Sequence, residues 1–108
     1  MVYVDTIGSN GTANGQFINP HSIAIDVVGF LYVADTGNDR IQKLTTSGTF
    51  VSKIGSAGTT AGKFNAPRGI ATDENKNIYV ADTDNNRIQK FQQHIITPTK
   101  PLNLAADA

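Results

Sequence analysis

The chain has 108 residues, with nine Lys or Arg, nine Asp or Glu and no cysteine. Balanced charge lacks the basic excess that a nucleic-acid binder uses on phosphates, and without cysteine neither a disulfide framework nor a thiolate metal site can form. No apolar run approaches membrane-spanning length, no basic region with an apolar core follows Met1, so no signal peptide is expected, and nothing in the composition assigns a compartment.

In chain order, "VYVDTIGS" (2–9) is expected as a strand. A polar segment with Gly8, Gly11 and Gly15 then leads to Pro20. "SIAID" and "FLYVAD" are short and rich in β-branched and aromatic residues, and a break at "VVG" separates them. "RIQKL" follows a turn of Thr, Gly, Asn and Asp, and "FVSKIGS" follows "TTSG". The series then starts again with "GIATD", "NIYVAD" and "RIQKF". No stretch combines a 3.6-residue apolar period with caps, so almost no helix is expected and the fold class is all-β. The segment 94–108, "HIITPTKPLNLAADA", has no counterpart earlier in the chain, and its two prolines argue against a central strand.

The second series is a copy of the first. The shift that carries Phe17 onto Phe64 also carries Ile7-Gly8-Ser9 onto Ile54-Gly55-Ser56 and Pro20 onto Pro67. It carries Asp26 onto Asp73, and Tyr32-Val33-Ala34-Asp35 onto Tyr79-Val80-Ala81-Asp82. From Val4 to Phe91 there is no gap, and about half of the positions are identical. Four short strands in a period of this length are the signature of a propeller blade. "FVSKIGS" closes the first unit, and "YVDTIGS" is a copy of it placed ahead of that unit. The second unit lacks a fourth strand of its own.

The segments "GQF-x-x-P-x-x-IAID … LYVADTGNDRIQKL" and "GKF-x-x-P-x-GIATD … IYVADTDNNRIQKF" resemble NHL repeats. The resemblance implies a β-propeller of NHL type, generally of six blades. Residues 1–93 are then two four-stranded blades, with strand 2–9 completing a blade of a neighbour, and 94–108 is a tail or linker. "PTKPLNLAA" in that tail is similar to the entry into a fibronectin-type-III-like domain. Two blades leave apolar faces in water, for example around Ile23, Ile25, Val33 and Tyr32, so repeat units of this kind need neighbours. Three chains would make one six-bladed ring through a head-to-tail contact; two or four chains would close a smaller or larger ring, and a third explanation makes the two blades a fragment of a longer propeller. The implied function is a non-enzymatic binding or assembly scaffold that self-associates as a homotrimer, with its other partner unidentified.

Asp35, Asn38 and Arg40 recur as Asp82, Asn85 and Arg87. They fall in the turn between the second and third strands, where Asp and Asn bond the local backbone, and are expected to be structural, with each Arg paired to its Asp. The repeated glycines precede no helix and are read as connections between blades, not as a phosphate loop. His21 takes the position of Arg68, directly after the repeat proline. "PHSIAID … LYVADTGNDRIQ" is similar to a segment of the peptidyl-hydroxyglycine amidating lyases, whose resemblance implies a zinc ligand at His21 and a metal-dependent lyase or hydrolase as the alternative function. A three-fold ring would gather three such imidazoles at the channel mouth, a known catalytic zinc set, and Arg68 between them would hold a carboxylate. Sugar or RNA binding forms a second alternative. Tryptophan platforms for sugars are absent, and Tyr3, Tyr32 and Tyr79 lie in strand patterns and are expected to be packed.

Overall fold

The computed structural model describes residues 1–92; the tail assigned to 94–108 lies outside the described residues. Two antiparallel sheets are present. The first has the order β1 (Pro20–Ile25), β2 (Leu31–Asp35), β3 (Arg40–Leu44), β4 (Phe50–Ile54), and the second the order β5 (Pro67–Thr72), β6 (Asn77–Asp82), β7 (Arg87–Gln92). Each strand pairs with the next in sequence, which is the meander of a propeller blade. The registers repeat as the residues do: Asp35 faces Arg40 and Asp82 faces Arg87, while Val33 faces Gln42 and Val80 faces Gln89. The helical content of the described residues is two single 3-10 turns, Thr36–Asn38 and Thr83–Asn85.

Pro20 and Pro67 open the innermost strand of each sheet, an edge position where the missing N–H interrupts no ladder. The turn ahead of β3 closes on Asp39 at φ 51°, and the turn ahead of β7 on Asn86 at φ 55°. Asp and Asn tolerate this left-handed conformation better than other side chains. β1 lies beside β5, and β2 also touches β5, so the blades converge along their inner strands.

The blades meet through a dry layer. Tyr32, Ala34 and Ile41 from the first blade pack on Phe64, Ile78 and Val80 from the second, with Ile54 and Ile70 at its margin. Polar contacts cross the same junction: the Thr36 hydroxyl donates to the Pro67 carbonyl at 2.5 Å, and the Ala66 N–H donates to the Asp39 carboxylate at 2.8 Å. Nearer the centre the Thr72 hydroxyl donates to the Ile25 carbonyl at 2.8 Å. On its other side the first blade carries a second cluster of Phe17, Leu31, Val33 and Leu44, flanked by Ile7 and Phe50.

Expectation and structure differ in exposure at Tyr32, Val33 and Tyr3. Tyr32 and Val33 are buried, because the second blade covers the first and Phe17 folds over Val33 from the opposite side. Ile23 and Ile25 stay exposed, as expected of an open face. Residues 2–9 form no strand within the chain; they lie on the far side of the first blade, away from the open edge at β7, and have no strand beside them. Tyr3 consequently projects into solvent instead of packing.

Phe64 is the largest apolar side chain that the junction buries completely. Phe64→Ala should lower the unfolding free energy by about 3–5 kcal/mol, read from the midpoint of urea denaturation. An unchanged midpoint would show that the blades do not rely on this contact.

Candidate functional site

The repeated decamer builds a hydrogen-bonded hub around one carboxylate per blade. Asp35 is fully buried at the end of β2. One of its oxygens accepts from the Ile18 N–H at 2.8 Å; the other accepts from Arg40 Nε at 2.7 Å, Asn38 Nδ2 at 3.0 Å and Gln42 Nε2 at 3.0 Å. Asp82 repeats the set with the Asn65 N–H at 2.7 Å, Arg87 at 2.8 Å, Asn85 at 2.9 Å and Gln89 at 3.1 Å. Arg40 also donates to the Ala13 and Gln16 carbonyls, and Arg87 to those of Thr60 and Lys63. The hub therefore ties the Gly-rich connecting segment to the blade, a longer reach than a local turn. Gln42 and Gln89 belong to it although residue type alone did not single them out; their recurrence beside the Arg in "RIQK" was the available signal.

A second carboxylate secures each inner hairpin. Asp26 accepts from the N–H groups of Val28, Gly29 and Phe30 and from the Tyr32 hydroxyl at 3.0 Å. Burial pushes its carboxyl upward, but these donors outweigh it and leave the group below the usual carboxylate range. Asp73 accepts from the Asn77 side chain and N–H, the Asn75 N–H and the Tyr79 hydroxyl at 2.8 Å. The Asn77 side chain is the largest influence, followed by its N–H, and the carboxyl falls to about 2. For Asp82, burial again acts upward, and the Asn65 N–H, Asn85, Arg87 and Gln89 together bring the carboxyl below its ordinary value.

His21 and Arg68 occupy equivalent exposed positions on β1 and β5, the two strands that lie side by side at the inner edge. The His21 Nδ1 is 2.8 Å from the Asn19 carbonyl, so this nitrogen carries the proton and donates, and Nε2 is left for another partner. One chain supplies one imidazole here. Among the described residues no three His, Cys, Asp or Glu side chains gather in a group able to hold a metal.

The other candidate surfaces are the two outward blade faces. The first is an apolar groove beside β1, of about 220 Å³, walled by Ile7, Phe17, Pro20, Ile23, Leu31 and Val33. The second is the face of β6 and β7 turned away from the first blade, with Tyr79, Ile88 and Lys90. Ile88 is 66% exposed, whereas its copy Ile41 is completely covered.

The family model of the NHL repeat matches residues 17–44 and 64–91, the two stretches that carry the hub and the inner hairpin. The chain belongs to the NHL repeat family. Each matched stretch starts on the buried Phe and runs through the third strand of an NHL blade. The chain is 51% identical over 35 residues to the mouse (Mus musculus) NHL repeat-containing protein 3, which is 32% of this chain and 10% of that protein. It is 40% identical over 50 residues to the B-box type zinc finger protein ncl-1 of Caenorhabditis elegans, 46% of this chain and 6% of that protein. With the E3 ubiquitin-protein ligase TRIM71 of Gallus gallus it shares 42% identity over 45 residues, 42% of this chain and 5% of that protein. The chain thus spans a tenth or less of the curated relatives it matches.

Arg40 and Arg87 make the same bonds, but their side chains are 8% and 31% exposed. Both substitutions strand a buried carboxylate, but Arg40→Ala should cost about 3 kcal/mol, because its covered site keeps water out, and Arg87→Ala about 1 kcal/mol in the isolated chain, where water reaches the vacated position and solvates Asp82 in part. Thermal unfolding of the two variants tests this, and equal losses would reject it. The carboxylates also set an acid limit. Asp26, Asp73 and Asp82 have lowered folded values, so they stabilise fully above the unfolded value of 3.8. That contribution should disappear as pH falls from there toward about 2. A melting temperature that stays level from pH 5 to the acid end of this window would show that the hubs do not depend on ionised carboxylates.

Proposed function

We propose that the protein is a non-enzymatic binding or assembly scaffold, an NHL propeller closed head-to-tail by copies of the same chain. Three copies bring six blades, the usual NHL number. One observation carries this reading: side chains that are chemically equal in the two blades differ in burial according to whether a blade covers them. Pro67 is buried and Pro20 exposed; Ile70 is half-buried while Ile23 is 63% exposed; Ile41 is 0% and Ile88 66% exposed. The face around Pro20, Ile23 and Phe17 is a copy of the surface that the second blade turns toward the first. The face around Tyr79 and Ile88 is a copy of the surface the first blade turns toward the second. The two open faces are therefore the two halves of an interface already formed once within the chain. Two of its polar bonds also have the groups to re-form between copies. Thr83 repeats Thr36 opposite a Pro20 carbonyl, and Asn86 repeats Asp39 opposite the Asn19 N–H. In this assembly the segment 2–9 supplies the fourth strand of the blade ahead of it.

Light scattering at micromolar concentration should give the mass of three chains, and Ile88→Glu should return single chains that keep their β-sheet circular dichroism. A wild-type protein that is folded and monomeric rejects assembly from copies of this chain, and a tetramer rejects the six-blade count.

A further inference from the structure

The segment Tyr3–Ile7, exposed as far as Thr6 and half-buried at Ile7, has a specific seat on a second copy. We propose that it adds to β7 in one register, with Ile7 opposite Ile88, Asp5 opposite Lys90, and the Tyr3 ring filling the cavity between the two blades. This rests on the head-to-tail reading and specifies the contact that closes it.

The register comes from the first blade. There β3 and β4 pair Ile41 with Ile54, Gln42 with Lys53, Lys43 with Ser52 and, past a bulge, Leu44 with Phe50. Carried across the repeat, the same ladder pairs Ile88 with Ile7, Gln89 with Thr6, Lys90 with Asp5, and Phe91 with Tyr3. Val4, Ile7, Gly8 and Ser9 are identical to their counterparts in β4 and just after it. At Asp5 the sequence departs from Ser52, and the departure places a carboxylate opposite Lys90, whose ammonium has no carboxylate partner among the described residues. Opposite charges directly across an antiparallel pair stabilise it, and like charges destabilise it.

The second blade has a space of the matching kind. In the first blade Phe50 packs beside Leu31 and Leu44. In the second, their equivalents Ile78 and Phe91 line a cavity of about 360 Å³, shared with Tyr32, Lys43 and Ile54 of the first blade. An aromatic side chain at the Phe50 position of the missing strand would enter here, and that position is Tyr3. Met1, Val2, Tyr3 and Val4 are all exposed large apolar residues in the single chain, with no layer of their own to join.

The segment is also already aimed outward along this path. Gly8, at φ 87°, stands against Phe17 and the Gly15 carbonyl, just as Gly55, at φ 87°, stands against Phe64 and the Gly62 carbonyl where β4 leaves its blade for the next. Asn10 bridges to Phe17 as Ala57 bridges to Phe64. Residues 2–7 therefore leave the first blade in the manner of a fourth strand belonging to the blade ahead. The chain's own sequence after β7 carries Pro98 and Pro101 where β4 has Val51 and Ile54. These residues lack the N–H groups that a ladder needs.

The native chain has no cysteine, so cross-linking reads the register directly. The double variant Asp5→Cys with Lys90→Cys should oxidise to a covalent multimer that reduction returns to single chains, since directly opposed strand residues meet disulfide geometry. Thr6→Cys with Lys90→Cys, a one-residue slip onto the opposite face, should not. As a second measure, Asp5→Lys and Lys90→Asp should each raise the dissociation constant of the assembly about tenfold, and the double reversal should restore it. Assembly of normal mass without the 5–90 cross-link, or with equal 6–90 cross-linking, overturns this register and leaves the blade-face contact standing. A disulfide closed within one chain also overturns it. Absence of any assembly removes both proposals.

Discussion

A propeller blade is apolar on both faces, and each face needs cover from a neighbour. This constraint governs the rest of the molecule. It explains why every residue of β2 is buried while β6 alternates between buried and half-buried positions. The two strands have nearly the same sequence, LYVAD and NIYVAD, and differ in what lies against them. Hydrophobic burial here is a property of position in the stack, as in any repeat array in which stability is shared between units and their interfaces. The ends of such a stack are incomplete unless something caps them or the stack closes on itself.

The buried carboxylates make that stacking reproducible. Asp35 and Asp82 have no exposure and gather donors from the connecting segment, the turn and the third strand. A buried charge satisfied this fully fixes local geometry more than it adds free energy, because its desolvation offsets much of the Coulomb gain. Its effect is to hold Phe17 and Phe64, which follow the connecting segment, at the same height in each blade. Identical heights give the two blades matching faces. The lysine beside the hub acts differently. Lys43 is nine-tenths buried and lies over the Phe30 ring at 4.2 Å, so its charge is held by an aromatic face at the blade junction.

The inner edge is chemically separate from both systems. His21 and Arg68 sit on adjacent inner strands with no part in the core, and their side chains differ at a position where the backbone is the same. The four side chains of each hub are identical between the blades while this position changes, so the inner edge varies without altering the hub. Such a position can take a ligand-specific side chain at little cost to the blade, and a symmetrical ring would present it once per chain.

Much of this was legible in the linear sequence, because a gapless repeat constrains pattern strongly. The strand set, the turns and the pairing of Arg40 with Asp35 and Arg87 with Asp82 follow from residue type and recurrence: short β-branched runs between Asn, Asp and Gly have few alternatives, and a buried Arg needs a carboxylate. Membership in the NHL family was visible in the same motif. Long-range partners were not. That Asp35 reaches the Ile18 N–H, and that Gln42 turns to the same oxygen as Arg40, depend on where separate segments come to rest. Nor did the sequence separate Ile41 from Ile88, or Tyr32 from Tyr3, since hydrophobicity states only that a side chain prefers cover. Which of them receives it within one chain is decided by the tertiary stack, because a blade can bury only the face that its neighbour touches.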